Sequence, residues 1–140
     1  MSAVNQHVIA EQTIHAWCMD MTDSVQQQDL DRHMNLISEK INLYGLPGND
    51  IIDYAGWRAR RKYEFENQEL LVLNHRNIHL INSSQRRIRF NVIETMVGKD
   101  GKMVTLDKNI VLENESDGQW RVVEENINSW QVKKINLANL

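Results

Sequence analysis

The hydrophobic period of this chain changes once, near residue 70. Before that point apolar residues recur at helical spacing, and after it they alternate. The switch marks a mixed chain. It predicts an α+β fold in which helices come first and an antiparallel meander follows, with the helices gathered on one face of the sheet. At 140 residues the chain has room for one domain. That domain is expected to span 1–140, with a core from about 5 to 131 and a short C-terminal extension.

In the helical half, Ile14, Cys18, Met21 and Val25 recur at spacings of four, three and four, with Trp17 beside them. Residues 5 to 27 hold no Gly or Pro, so one amphipathic helix is expected there. Asp29 then caps a second, shorter helix whose apolar side carries Leu30, His33, Met34 and Ile37. Ser38 to Leu43 reads as a short strand. Gly45, Pro47, Gly48 and Asn49 read as a loop, and Asp53 as the cap of a third helix running from Tyr54 to about Phe65. Arg58, Arg60, Arg61 and Lys62 crowd that helix and are expected on a solvated face with local ion pairs.

In the second half, Ile78 and Leu80 mark one strand and Arg86 to Val97 another. Lys99-Asp-Gly-Lys102 and Asp117-Gly118 are hairpin turns. Val104, Leu106, Ile110 and Leu112 form the strand between them, interrupted in polarity by Lys108. The last strand runs from Trp120 to Trp130. Long helices over a strongly curved antiparallel sheet leave a cone-shaped gap, the expected ligand site. The opposite face of the sheet then needs a cover, and a second copy of the chain is the expected one.

Composition narrows the function. A net charge of −3 argues against a general nucleic-acid binder. The N-terminus shows no basic segment followed by an apolar one, and no stretch approaches a membrane span, so the expectation is a cytoplasmic protein. A lone Cys18 excludes an intrachain disulfide and a thiolate metal cluster, and a buried inert thiol is expected. His75 and His79 are four apart, which on a strand means about 13 Å, too far to share a metal. No metal and no cofactor are expected, and there is no phosphate-binding glycine loop or dinucleotide fingerprint.

The order of elements resembles the nuclear transport factor 2-like superfamily, in its SnoaL-like and ketosteroid-isomerase-like branch. The matching text is the opening helix with Trp17, Asp29-Leu-Asp-Arg-His-Met34 on the second helix, and Asp117-Gly-Gln-Trp-Arg-Val-Val123 closing the meander. Asn91-Val-Ile-Glu-Thr-Met96 is loosely similar to the small subunits of ring-hydroxylating dioxygenases, which share this fold. The resemblance implies a cystatin-like cone, a homodimer through the sheet face, and a small apolar or aromatic ligand. It implies one of three functions. The first is a cofactor-independent isomerase, cyclase or dehydratase. The second is a non-catalytic ligand-binding or accessory dimer, and the third a dioxygenase small subunit.

Three residues are candidates for the chemistry. His33 sits on the apolar side of its helix, either as a hydrogen-bonded core-edge residue or as a pocket acid or base. Asp31 beside it shares the region where the family branch places an acid or a histidine. Glu94 shares a strand face with Phe90 and Val92, so it is either a pocket carboxylate with a raised pKa or a polar group of the dimer face or rim. Glu124 and Asn126 share a face with Val122, while Glu125 points the other way. Trp17, Met21, Tyr54, Trp57, His79, Phe90 and Val92 are the expected pocket lining, where the aromatic groups would form a wall for a flat ligand.

Overall fold

In the computed structural model, which describes residues 3–139, the amphipathic N-terminal segment forms helix α1 (Ala3–Gln26). Its inward stripe, Ile14, Trp17, Cys18, Met21 and Val25, is buried in the core. Burial of each of these large side chains stabilises the fold by roughly 1.5–3 kcal/mol. Gln28 turns the chain in a left-handed conformation (φ 55°) and ties it down by donating to the carbonyls of Val25 and Leu70. Helix α2 (Leu30–Met34) follows, with the Asp29 carboxylate accepting from the Arg32 N–H at 3.0 Å. Helix α3 (Tyr54–Glu66) begins in the same way, Asp53 accepting from the Gly56 N–H.

Five strands make one sheet. They are β1 (Ile37–Tyr44), β2 (Val72–Ser83), β3 (Arg87–Val97), β4 (Lys102–Asn114) and β5 (Trp120–Lys134), in the order β1-β5-β4-β3-β2. The meander of β2 to β5 is antiparallel, and β5 runs past Trp130 to Lys134 by pairing with the start of β4. A 3-10 turn at Leu137–Asn139 ends the described chain.

Two features correct the sequence expectation of a cone on a strongly curved antiparallel sheet. The sheet is open, with β1 and β2 as edge strands four positions apart, and the β1–β5 pair is parallel. The reason lies in the connection. Helix α3 carries the chain from β1 on one edge to β2 on the other, so the two edges never meet. The space beneath the helices is filled by side chains instead. Trp17 from α1, Met34 from α2 and Trp57 from α3 share one core with Phe90, Val92, Ile110 and Val122 from the sheet. Trp17 packs edge-on against Phe90, and its indole N–H donates to the Leu36 carbonyl at 3.1 Å.

Bulges set the inward face. In β2 the register shifts between Arg76 and His79, where Asn77 is left-handed (φ 55°). In β5 it shifts where Val122 pairs with Leu112 and Glu124 with Val111, leaving Val123 as the extra residue. Gly45, just past β1, has φ +87°, and a Cβ there would stand 2.6 Å from the Ile127 carbonyl oxygen, so only glycine fits this approach of β1 to β5.

Candidate functional site

The strands carry an ionic cluster into the core. Glu94 follows Phe90 and Val92 on the inward face of β3, and Lys108 takes the inward position between Leu106 and Ile110 on β4. Glu125 reaches the same layer from β5, opposite Ile110, because the Val123 bulge shifts its parity. Lys108 Nζ donates to Glu94 Oε1 and to Glu125 Oε1, both at 2.7 Å. His75, opposite Glu94 in the β2–β3 register, closes the group with its Nε2 at 2.9 Å from Glu94 Oε2. All four side chains are buried. Among the described residues, His75 Nδ1 and Glu125 Oε2 have no hydrogen-bond partner.

The two carboxylates are not equivalent. Burial would raise the Glu94 pKa, but the Lys108 charge and the His75 hydrogen bond outweigh it and hold Glu94 well below the usual carboxylate range. Glu125 is pushed up, first by burial and then by the neighbouring Glu94 charge, which together exceed the attraction of Lys108. Burial disfavours the Lys108 charge, yet the two glutamates more than compensate and raise its pKa. Such a pair separates into a fixed anion and a group that holds a proton more readily.

A second chain of bonds runs beside the first. Ser24 Oγ donates to the Met21 carbonyl and lies 3.0 Å from His33 Nδ1. The other ring nitrogen, His33 Nε2, accepts from the Trp57 indole N–H at 3.2 Å and from Arg61 Nε at 3.1 Å. An acceptor Nε2 requires that the proton sit on Nδ1, where it is donated to Ser24 Oγ. Burial, and then the Arg61 charge, hold the His33 pKa well below its ordinary value, so the ring is neutral. Arg61 lies 5.5 Å over the Trp57 ring and donates from Nη1 to Glu64 at 2.7 Å.

Lys108 and Arg61 both line a pocket of ≈ 50 Å³ between α3, β1 and the sheet. Its walls are Leu43, Leu46, Ile52, Met96, Leu106 and Ile127, with Trp57 against α3. The half-buried Leu46, Met96 and Ile127 and the exposed Arg60 lie toward its mouth. The volume is room for about four waters at ~12 Å³ each, far below the ~300 Å³ at which drug-sized sites begin. Among the described residues, no group of three His, Cys, Asp or Glu side chains is placed to hold a metal ion, and no helix is long and apolar enough to cross a membrane.

Of the residues singled out by sequence, His33, Glu94 and Trp57 meet in this region. Trp17, Met21, Phe90 and Val92 are packed in the core and do not line the pocket. Asp31 is exposed and Tyr54 half-buried, and both line a separate open polar groove of ≈ 980 Å³ with Arg58, Arg86 and Arg121. His79 is exposed, because the Asn77 bulge puts it on the opposite side of β2 from His75. The basic turn of α3 splits: Arg58, Arg60 and Lys62 are exposed as expected, but Arg61 is buried. Arg87 pairs with Glu113 of the neighbouring strand at 2.8 Å. Lys108, Glu125, Arg61 and His75 are the members that sequence reasoning did not assign to the site.

Comparison with known proteins supports the fold. No protein-family model matches the sequence, and no curated protein matches it. Solved structures do. An NTF-2 like protein of unknown function from Shewanella oneidensis MR-1 superposes with a TM-score of 0.68 at 16% identity, over 84% of this chain and 97% of that one. Hexachlorocyclohexane dehydrochlorinase LinA-type3 from Novosphingobium barchaimii LL02 gives 0.64 at 13% identity, over 94% of each chain. Delta 5-3-ketosteroid isomerase from a Mycobacterium species gives 0.59 at 12% identity, over 86% of this chain and 98% of that one. At these identities the likeness is one of fold, and the fold is nuclear transport factor 2-like. Fold alone does not fix an activity.

Proposed function

We propose that the chain binds a small molecule in the pocket floored by Lys108 and Arg61, and that the ionic cluster behind it performs cofactor-independent acid–base chemistry of the isomerase, cyclase or dehydratase kind. The observation that carries this reading is the position of Lys108. It is buried, it bridges two carboxylates at 2.7 Å each, and it lines an apolar pocket. A cluster of this kind points away from stability as its purpose, since apolar side chains of similar volume are often as good or better in a core. Perturbed ionisable groups beside an apolar pocket are a mark of a functional site.

In this reading Lys108 touches the ligand. Its ammonium keeps its proton and donates an Nζ–H to a ligand oxygen that gains negative charge as Glu64, the carboxylate that lines the pocket, takes a proton from the ligand and then returns it. Glu94 stays ionised and fixes both Lys108 and His75. His33 stays neutral and fixes Arg61. Asp31 has no role in this scheme, because it lines the separate groove.

One observation favours the second reading, a non-catalytic binding protein: neither Glu94 nor Glu125 lines the pocket itself. A panel of small alkyl and aromatic compounds, titrated into labelled protein and read by the Trp57 indole N–H resonance, tests the binding step. Saturable shifts at Trp57 with none at the exposed Trp130 are expected. A panel that leaves Trp57 unmoved refutes the site. Deuterium incorporation from solvent into a bound compound separates the enzyme from the binder, and its loss in Lys108→Met ties it to the cluster.

The outer face of the sheet belongs to the same proposal as the surface of a homodimer. Ile93, Thr95 and Met103 alternate there with Asn91, Asp107 and Asn109, and all six are half-buried. Light scattering at micromolar concentration is expected to give twice the chain mass, and a monomer would exclude it.

A further inference from the structure

The guanidinium of Arg61 has bonding capacity that the fold does not use. Nε is taken by His33 and Nη1 by Glu64. Among the described residues nothing accepts from Nη2. Lys108 is in the same position, with two of its three N–H groups given to Glu94 and Glu125 and the third free. Both side chains are buried, Arg61 at 8% exposure and Lys108 at 3%, and both line the same pocket. Arg60 lines it as well, so three cations stand against one carboxylate, Glu64, at the pocket surface.

We infer that this pocket recognises a carboxylate, and that its ligand is a small organic acid whose two oxygens take the Nη2 hydrogens of Arg61 and the free N–H of Lys108. The alkyl or aryl body of the acid lies against Leu46, Met96 and Ile127 toward the mouth. The inference rests on the reading above, that the pocket takes a small molecule, and it names the chemical class.

Three features support it. The Nη2 hydrogens of Arg61 and the third N–H of Lys108 are cationic donors, and charge-assisted bonds of this type are roughly twice as strong as neutral ones. The plane of the guanidinium is already set. Its Cζ lies over the Trp57 ring, 5.5 Å from the ring centre, and His33 holds Nε at 3.1 Å. The ordering of a flexible arginine is therefore complete before a ligand arrives, which removes a cost of binding. The neutral Nδ1–H form of His33 is what permits this, since a protonated ring would repel the guanidinium it now holds. Size agrees too: a pocket of ≈ 50 Å³ admits a carboxylate group but not a whole aromatic acid, so the body must extend into the mouth.

Isobutyrate and isobutyramide have the same shape and differ in charge and in the second acceptor oxygen. Each is titrated into the full-length labelled protein at pH 7, and the Trp57 indole N–H is followed. Isobutyrate is expected to bind about tenfold more tightly than the amide, the ratio one charge-assisted bond supplies. In Arg61→Gln the preference is expected to vanish while weak binding of both compounds remains. The wild-type comparison needs no variant, so it stands even if Arg61→Gln fails to fold. Equal or tighter binding of the amide at Trp57 overturns the inference and leaves the pocket reading intact. If neither compound, nor any member of the broader panel, moves Trp57, both fall together.

Discussion

Nε of Arg61 stands 3.1 Å from Nε2 of His33, so a charged guanidinium is held by the lone pair of a neutral ring. The same lone pair also receives the Trp57 indole N–H at 3.2 Å. A proton can reach Nε2 only by displacing both donors. The functional consequence is that His33 orients Arg61 and is not free to act as a base.

This relationship predicts a pH dependence. In the unfolded chain His33 takes a proton near its ordinary value of about 6.5, whereas in the fold burial and Arg61 depress that value. Below about pH 6.5 the unfolded state therefore binds more protons than the folded one, and stability falls as pH drops. The contribution is complete above that pH and is lost toward the depressed folded value, with a limiting slope of ~1.4 kcal/mol per pH unit. Urea midpoints between pH 8 and pH 5 measure it. Nitrogen-15 spectra should show the Nδ1–H tautomer of His33 across that range, and a ring that titrates near 6.5 contradicts the hydrogen-bond assignment.

The two glutamates should respond differently to the same substitution. Glu94→Gln removes the anion that holds both His75 and Lys108, and is expected to cost about 3 kcal/mol at pH 7. Glu125→Gln keeps an oxygen for Lys108 at a position where burial and the Glu94 charge already raise the carboxyl's pKa, and is expected to cost less than Glu94→Gln. The pH signs are opposite as well. The depressed Glu94 stabilises the fold above its unfolded pKa and loses that contribution as pH falls. The raised Glu125 stabilises it at low pH and loses that as pH rises through its folded value. Paired denaturation curves at pH 5 and pH 8 check both, and equal costs at pH 7 would mean that the charge is shared.

The sequence carried the helices, the meander and the inward face of β3, because those follow from period. Glu94 was legible as a residue in step with Phe90 and Val92. Lys108 was visible too, in step with Leu106 and Ile110, but a lysine in an apolar strand shows only as an interruption until its partners are known. Those partners were hidden by bulges. An uninterrupted β5 would have put Glu125 on the face opposite Val122, and an uninterrupted β2 would have put His75 and His79 together. One extra residue in each strand reverses both. Arg61 could not be told from Arg58 and Arg60 by composition, since its burial depends on His33, which is 28 residues away. The parallel pairing of β1 with β5 was equally unreadable, because short strands carry no mark of the edge they join.

Cys18 should be inert in the native protein. Burial, reinforced by the charges of Glu94 and Glu125, pushes its thiol up to about 12. Although it borders a groove between α1 and β2, its residue exposure is only 6%. A disulfide exchange reagent at pH 8 is expected to find no reactive thiol in the folded chain and one after denaturation in urea. Rapid native labelling would place Cys18 at the surface.

Lys108 decides whether the cluster serves function or stability. Lys108→Met leaves Glu94 and Glu125 buried against each other without a cation, and is expected to destabilise the fold by about 3–5 kcal/mol at pH 7. Acidification should recover part of that loss, because protonating one carboxylate removes the repulsion. Replacing all three together, Lys108→Met with Glu94→Leu and Glu125→Leu, removes the charges instead of unbalancing them. That triple variant is expected to be at least as stable as the wild type. It should nevertheless bind the ligands that shift Trp57 more weakly than the wild type, since it retains the apolar walls and Arg61 but loses the Lys108 N–H. Denaturation midpoints and the Trp57 titration, run on the same sample, read the two effects separately. A triple variant that is less stable and binds as tightly as the wild type would show that the cluster holds the sheet together and leaves the pocket chemistry to Arg61.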